Sequence, residues 1–175
     1  MSETQKESTD VPWIYQGMPV TDTDIPDYAI GYVYLITQTL PGHSGKVRVY
    51  VGKKMLQSTR RKRIGVREKT ATKTRKTYKV EKKDSMWREY WGSSRSLHEA
   101  RDTGIGIWNR YILQWCYSKK NMSYEETRYQ FLYRVMTEPS FNDHIGNWYA
   151  MDIDKEKWDI HQQQLKEKRE SKKQQ

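Results

Sequence analysis

Residues 32–52 read YVYLITQTLPGHSGKVRVYVG, in which the tripeptides YVY and YVG stand on either side of a turn sequence. Pro41, Gly42 and Gly45 suit a turn, because proline presets φ and glycine tolerates positive φ. Residues 46–53, KVRVYVGK, alternate polar and apolar side chains as a half-buried strand does. With a first strand over residues 31–38, the pattern predicts a β-hairpin that carries two tyrosines, Tyr34 and Tyr50.

The stretches that follow the hairpin predict two helices and one more strand. The sequence GSSRSLHEARDTG at 92–104 can be capped by Ser93 or Ser94 and ended by Gly104. Aromatic and branched side chains in residues 106–117 indicate a third strand, and residues 123–138 predict a helix stopped by Pro139. We therefore predict an α+β domain with a small, mostly antiparallel, three-stranded sheet flanked by helices, and a basic insertion after the second strand.

Length and composition favour one domain with polar ends. We place an acidic arm at residues 1–27, the domain at residues 28–150 and a polar tail at residues 151–175 of the 175-residue chain. The single cysteine, Cys116, excludes an internal disulfide and a cysteine-based zinc site, and favours a reducing compartment. No apolar run approaches the roughly 18 residues of a membrane span, and the polar N-terminal residues MSETQKESTD contain no signal-peptide core. We expect a cytoplasmic protein without a membrane partner.

Positive charge is concentrated in the insertion at residues 53–84. The formal net charge is +10, and residues 53–83 alone contain fourteen lysines and arginines against two glutamates. Positive charges at this density repel one another unless a polyanion is near. The segment therefore predicts binding to a phosphate backbone through a loop or ribbon that orders on binding. The candidate DNA-binding residues are Lys53, Arg61, Lys62, Arg63, Arg67, Lys73, Arg75, Lys76 and, beyond the insertion, Arg95.

Further segments extend the paired tyrosine motif in a recognisable order. After Gly52 come WREYWGSS at 87–94, the ILQWC strand, the YEETRYQF helix and Phe141-Asn142-Asp143. This order resembles the GIY-YIG endonuclease superfamily, and in particular phage-encoded homing endonucleases of the Seg type, over about residues 28–148. The first motif departs from the family pattern, because it begins with Tyr32 instead of glycine and has valine instead of isoleucine.

The resemblance implies a DNA endonuclease that uses one Mg²⁺ ion at each active site. Tyr34 and Tyr50 would activate or position the attacking water, and Gly52 completes the second motif. Glu126 would bind the metal, and Asn142 would support the site structurally. A cation is needed as well, because negative charge develops on the phosphate in the transition state.

Two assignments within this site remain open from the sequence. For the catalytic cation we rank Lys54 and Arg60 first, and the other candidates are Arg61, Arg95 and Arg101. For the metal ligand, Glu126 has a rival in Glu125, because Ser123 and Glu126 have the spacing of a capping box at the start of a helix.

Two other functions are compatible with the same residues. The chain could be an inactive module of this fold that only binds nucleic acid, or a basic protein that contacts RNA or a ribonucleoprotein. The location of the catalytic cation separates the first alternative from an enzyme. If no basic side chain reaches Tyr34, Tyr50 and Glu126, the binding module is favoured.

Overall fold

The computed structural model describes residues 11–42 and 47–149, together with positions 159, 160, 163, 164, 167 and 170. Three helices, nine strands and a single 3-10 turn at Asp22–Asp24 lie within residues 11–42 and 47–149. The strands are β1 (Trp13–Tyr15), β2 (Met18–Pro19), β3 (Gly31–Thr39), β4 (Val47–Met55), β5 (Gln57–Arg63), β6 (Tyr78–Asp84), β7 (Ile107–Cys116), β8 (His144–Ile145) and β9 (Trp148–Tyr149). The helices are α1 (Val66–Thr72), α2 (Arg95–Asp102) and α3 (Lys119–Leu132).

The main sheet has five strands in the order β2-β1-β7-β3-β4. Strand β3 is antiparallel to both β4 and β7, whereas β1 is parallel to β7. The α+β class is confirmed, but the prediction of a three-stranded antiparallel sheet is wrong, because the observed sheet is mixed and has two more strands. Both extra strands come from the stretch predicted as an arm. Strands of three and two residues are too short to show alternation in the sequence.

The predicted hairpin is formed by β3 and β4, and it separates two hydrophobic cores. In its register Tyr34 lies opposite Gly52, and Ile36 lies opposite Tyr50. Even-numbered side chains such as Tyr32 and Tyr34 pack on one face against the buried indoles of Trp13, Trp87 and Trp91. Odd-numbered side chains, among them Val33, Leu35 and Val51, face α3 and the segment after it. Successive side chains of a strand point to opposite faces, so neighbouring residues in β4 enter different environments.

The basic insertion forms a second, separate structure. Strands β5 and β6 pair antiparallel with each other as a two-stranded sheet, and α1 lies in the connection between them. Every residue of β5 is exposed. Of the two predicted forms, loop or ribbon, the structure has the ribbon.

Helix boundaries decide where the late carboxylates lie. Ser94 caps α2, as predicted, by accepting a hydrogen bond from the backbone N–H of Leu97. Helix α3 begins four residues earlier than predicted, because Ser118 supplies its cap and accepts from the N–H of Asn121. The capping-box interpretation of Ser123 and Glu126 is therefore wrong, since Glu126 lies in the interior of the helix. The same helix ends at Leu132 and does not reach Pro139.

None of the helices in the described part of the chain is long and apolar enough to span a membrane.

Candidate active site

A cleft of about 300 Å³ lies beside β4, where the start of α2, the middle of α3 and the loop after α3 meet. Four residues selected from the sequence line it: Tyr50, Arg95, Glu126 and Asn142. They come from four different segments of the chain, so only the tertiary structure brings them together. The fold thus joins a phenol, a guanidinium, a carboxylate and a carboxamide in one cavity.

Asn142 holds the loop after α3 against the free edge of β4. Its side-chain oxygen accepts a hydrogen bond from the backbone N–H of Val51 at 2.9 Å, and its Nδ2 donates to the carbonyl of Val51 at 2.8 Å. The preceding residues continue the pattern, since Val49 donates to the Pro139 carbonyl and accepts from the N–H of Phe141. The amide therefore satisfies one residue of an otherwise open strand edge, and this fixes the wall of the cleft next to Tyr50.

Tyr50 lies on the cleft, whereas Tyr34 lies behind it. The Tyr50 hydroxyl is 3.2 Å from Oγ of Ser93, and the side chain lines the cavity. Tyr34 is only 1% exposed, and its ring centroid is 6.0 Å from that of Tyr50. Burial, followed by the neighbouring phenols of Tyr50 and Tyr90, raises the pKa of Tyr34 well above its ordinary value. Tyr34 therefore stays neutral at physiological pH and supports the Tyr50 ring from within the core.

Glycine is required where the two tyrosines approach the backbone. A methyl group on Gly52 would lie 2.6 Å from Cζ of Tyr34, and one on Gly92 would lie 2.6 Å from Cε1 of Tyr50. Gly92 also has a φ of +86°, a backbone conformation that residues with a side chain rarely adopt. Gly52, the last residue of the second motif, has no side chain and therefore leaves room for the Tyr34 ring.

The candidate cations occupy four different environments. Arg95 lines the cleft with a side chain that is 92% exposed, and its Nε donates to Glu99 at 2.7 Å. Lys54 instead places its ammonium 3.8 Å from the centre of the Tyr90 ring, and partial burial lowers its pKa. Arg101 stacks on Trp91 at 3.9 Å from the ring centre. Arg60 and Arg61 belong to the exposed strand β5, outside the cleft lining.

The two adjacent glutamates of α3 are separated by the helix. Glu126 reaches the cleft, and its carboxylate pairs with the ammonium of Lys53 at 2.8 Å. The same ammonium donates to Oγ of Ser123 at 3.0 Å. Glu125 is buried and accepts from Arg128 at 2.6 Å. Of the two carboxylates, the structure places only Glu126 at the cleft.

Two further groups on the cleft, Asp143 and His144, are not among the site residues predicted from the sequence. Their position directly after Asn142 was the available signal, because a loop that fixes one side chain at a site also fixes its neighbours. No group of three His, Cys, Asp or Glu residues suited to a metal ion occurs among the residues that the structure describes. Glu126 and Asp143 are the carboxylates that line this cavity.

Comparison with family models gives a match to the family described as "Putative endonuclease segE, GIY-YIG domain", over residues 13–153. The match includes β1 and β2 and every residue of the cleft. Comparisons with curated proteins and with solved structures found no match.

Proposed function

Because the chain belongs to the family of segE-type endonucleases with a GIY-YIG domain, we propose that it is a DNA endonuclease that hydrolyses phosphodiester bonds in the cleft beside β4 with the help of Mg²⁺. The observation that supports this best is the convergence of Tyr50, Arg95, Glu126 and Asn142 on one cavity. The basic ribbon next to the same strand supplies the charge that a DNA backbone requires.

The protein groups divide the chemistry among them. The Tyr50 hydroxyl, with Ser93 beside it, orients the attacking water by hydrogen bonding. The Arg95 guanidinium offsets the negative charge that develops on the phosphate, and its exposure leaves it free to meet a substrate from solvent. Asn142 is engaged with Val51 and acts by holding the strand edge in place. Tyr34, buried and neutral, holds the Tyr50 ring in position.

The donor set of the cleft fits a hard divalent cation. Mg²⁺ in nucleotide-cleaving enzymes keeps several waters and takes one or two carboxylates from the protein. Glu126 would hold the Mg²⁺ ion, because its carboxylate lines the cavity and already pairs with a cation, the Lys53 ammonium. Asp143 is the second carboxylate on the cavity. When bound, the ion polarises the phosphate and lowers the pKa of a coordinated water.

The phosphate backbone is held by cations around the site. On this proposal the contacts are made by Lys53 and Arg95 near the cleft, by Arg61 and Arg63 on the ribbon, and by Arg67, Lys73, Arg75 and Lys76 in the β5–β6 connection. Contacts to phosphates supply affinity and orientation and carry little sequence information.

Nicking of supercoiled plasmid tests the proposal directly. We expect the purified full chain to convert plasmid to open-circular and linear forms in buffer with Mg²⁺, and to leave it intact in EDTA. If the protein binds DNA in a gel-shift assay but does not cleave it with Mg²⁺ or Mn²⁺, the chain is a binding module of this fold and the enzyme proposal is wrong.

Replacing Arg95 with alanine should lower the cleavage rate by about 100-fold, the usual cost of removing one charge-stabilising donor. Stability should change by less than about 0.5 kcal/mol, because exposed ion pairs contribute little. Single-turnover cleavage and thermal melting measure the two effects.

Arg134→Ala is the matched control, because Arg134 is also exposed and makes an i,i+4 ion pair, with Glu138, but lies outside the cleft lining. If Arg95→Ala cuts normally while Lys54→Met or Arg60→Gln does not, the cation has been assigned to the wrong residue.

A further inference from the structure

The β5–β6 ribbon has two faces of different chemistry. Residues that pair across an antiparallel ladder share a face, and the faces alternate along each strand. The "paired face" consists of Ser58, Arg60, Lys62, Lys79, Glu81 and Lys83. The "open face" consists of Gln57, Thr59, Arg61, Arg63, Tyr78, Val80, Lys82 and Asp84.

On the paired face, acidic side chains of the same insertion compensate part of the charge. Lys79 contacts Glu68 of α1 at 2.7 Å and Glu81 at 3.7 Å, and Lys62 contacts Glu81 at 3.6 Å. Lys79 and Glu81 are also less exposed than the residues on either side of them. This face is therefore turned toward the connection that carries α1.

The open face carries cations interleaved with exposed apolar groups. Arg61 lies opposite Val80, and Arg63 lies opposite Tyr78. Val80 is 62% exposed and Tyr78 is 53% exposed, so neither side chain is covered by the part of the chain that the structure describes. Within the described residues, Arg61, Arg63 and Lys82 take part in no ion pair. Free cations beside uncovered apolar side chains indicate a surface that is completed by a ligand with both phosphates and apolar edges.

At its base the open face borders a second groove, which leaves room for a large ligand. Thr59 and Lys82 line one wall of this groove of about 670 Å³, and the domain body supplies the other. The lining also includes Tyr28, whose side chain is 92% exposed, the cationic side chain of Lys119 and the carboxylate of Asp84. A DNA backbone that follows the open face would thus continue into a groove whose lining includes Lys82 and Lys119.

We propose that the open face enters the major groove of duplex DNA, where Arg61, Arg63 and Lys82 contact phosphates and base edges and Tyr78 and Val80 pack on apolar edges such as thymine methyls. The inference rests on the proposed function in taking DNA as the ligand. A major groove about 12 Å wide admits a two-stranded ribbon, and arginine matches the acceptors of guanine there. The deep, narrow major groove of A-form RNA excludes such a ribbon, so double-stranded RNA should not substitute.

Direct binding measurements on the full chain separate the two faces. Each variant is made in a Glu126→Gln background, so that cleavage does not interfere, and a fluorescent 20-base-pair duplex is titrated at several KCl concentrations. Arg61→Gln with Arg63→Gln removes two charges from the open face, and Lys79→Gln with Lys83→Gln removes two from the paired face. We expect the open-face double variant to bind at least about tenfold more weakly and to reduce the slope of log K against log salt by about 1 to 2. The paired-face double variant should bind less than about threefold more weakly.

Two finer comparisons use the alternation of the strand itself. Lys82 and Lys83 are adjacent, are both exposed and point to opposite faces, so Lys82→Gln should weaken binding more than Lys83→Gln. Tyr78→Ala should weaken binding about fivefold with an unchanged salt slope, because it removes an apolar contact and no charge. Thermal melting of each variant confirms that the ribbon change does not unfold the domain.

Equal losses for the open-face and paired-face pairs would overturn the inference, since they would mean that only net charge matters. No loss for either pair, or equal affinity for a double-stranded RNA of the same sequence, would overturn it as well. Plasmid nicking by the wild-type chain is measured in parallel. If the wild type cuts and the open-face variants bind normally, only this inference is wrong. If those variants bind weakly but the wild type never cuts, only the nuclease proposal is wrong.

Discussion

Glu126→Gln is expected to lower the rate of DNA cleavage by about 1,000-fold or more while the affinity for DNA changes by less than about threefold. The substitution keeps the size of the side chain and removes the negative charge that pairs with Lys53 and that would hold the divalent ion. Glu126 is partly exposed in an ion pair at the edge of the cleft, so its loss should cost about 1 kcal/mol of stability at most. Single-turnover cleavage of a supercoiled plasmid and fluorescence anisotropy measure the two quantities.

Glu125→Gln is the informative companion, because it is the neighbouring carboxylate on the same helix. Glu125 is buried against Arg128, so its replacement should reduce stability and leave the cleavage rate of the folded protein near that of the wild type. If Glu125→Gln abolished cleavage and Glu126→Gln did not, the metal ligand would be the residue that the sequence left as the alternative. A Glu126→Gln protein that cuts at the wild-type rate would remove the basis of the proposed mechanism.

Gly52→Ala should destabilise the fold by about 2–3 kcal/mol, at the upper end of what overpacking a core costs. The added methyl would lie 2.6 Å from Cζ of Tyr34, far inside the roughly 3.5–4.0 Å of a carbon contact. The ring cannot move aside easily, because it packs edge-on against Trp13 and Tyr90 and is buried. Since Tyr34 also contacts Tyr50, cleavage should fall even at temperatures where the variant is folded. Urea unfolding and cleavage at 15 °C measure the two effects.

Gly65→Ala is the control for the general effect of replacing glycine. A Cβ on Gly65 meets no atom within 4 Å, and its φ of −66° suits any residue. Its cost should stay within about 1 kcal/mol, the loss associated with a poorer helix cap. A double-mutant cycle with Tyr34→Leu isolates the collision, because leucine is shorter and Gly52→Ala should cost less in that background. Equal costs in the two backgrounds would show that the collision is not the cause.

On the proposed function, the pairing of Lys53 with Glu126 would link DNA binding to metal binding. The same ammonium that neutralises the carboxylate is a candidate phosphate ligand. Glu126 would hold a divalent ion through the carboxylate that now pairs with Lys53. On that proposal the Lys53 ammonium and the ion would be alternative partners of one carboxylate.

Much of the fold could be predicted because its signals are local. Alternation along residues 46–53 identified β4, branched and aromatic side chains identified β7, and the serine pair before residue 95 identified the start of α2. Each of these patterns is determined by a residue and its near neighbours in the chain. The resemblance to a nuclease family also depended only on the order of short motifs, and the family match over residues 13–153 confirms it.

The composition of the site depended on the tertiary structure. Lys53 and Lys54 are adjacent and chemically identical, yet strand alternation directs one to Glu126 and the other to the ring of Tyr90. Whether a strand residue meets a helix carboxylate depends on sheet register and on the rotation of the helix. Neither quantity is set by residues near it in sequence.

The amino-acid sequence by itself determined the hairpin, the late strand, the basic insertion and the family. Only the tertiary structure decided that residues 13–19 join the sheet, that Tyr34 is buried behind Tyr50, and that Arg95 is the arginine on the cleft. The physical reason is that periodicity and capping are short-range properties. The meeting of residues 50, 95, 126 and 142 results from long-range packing across both faces and the free edge of one sheet.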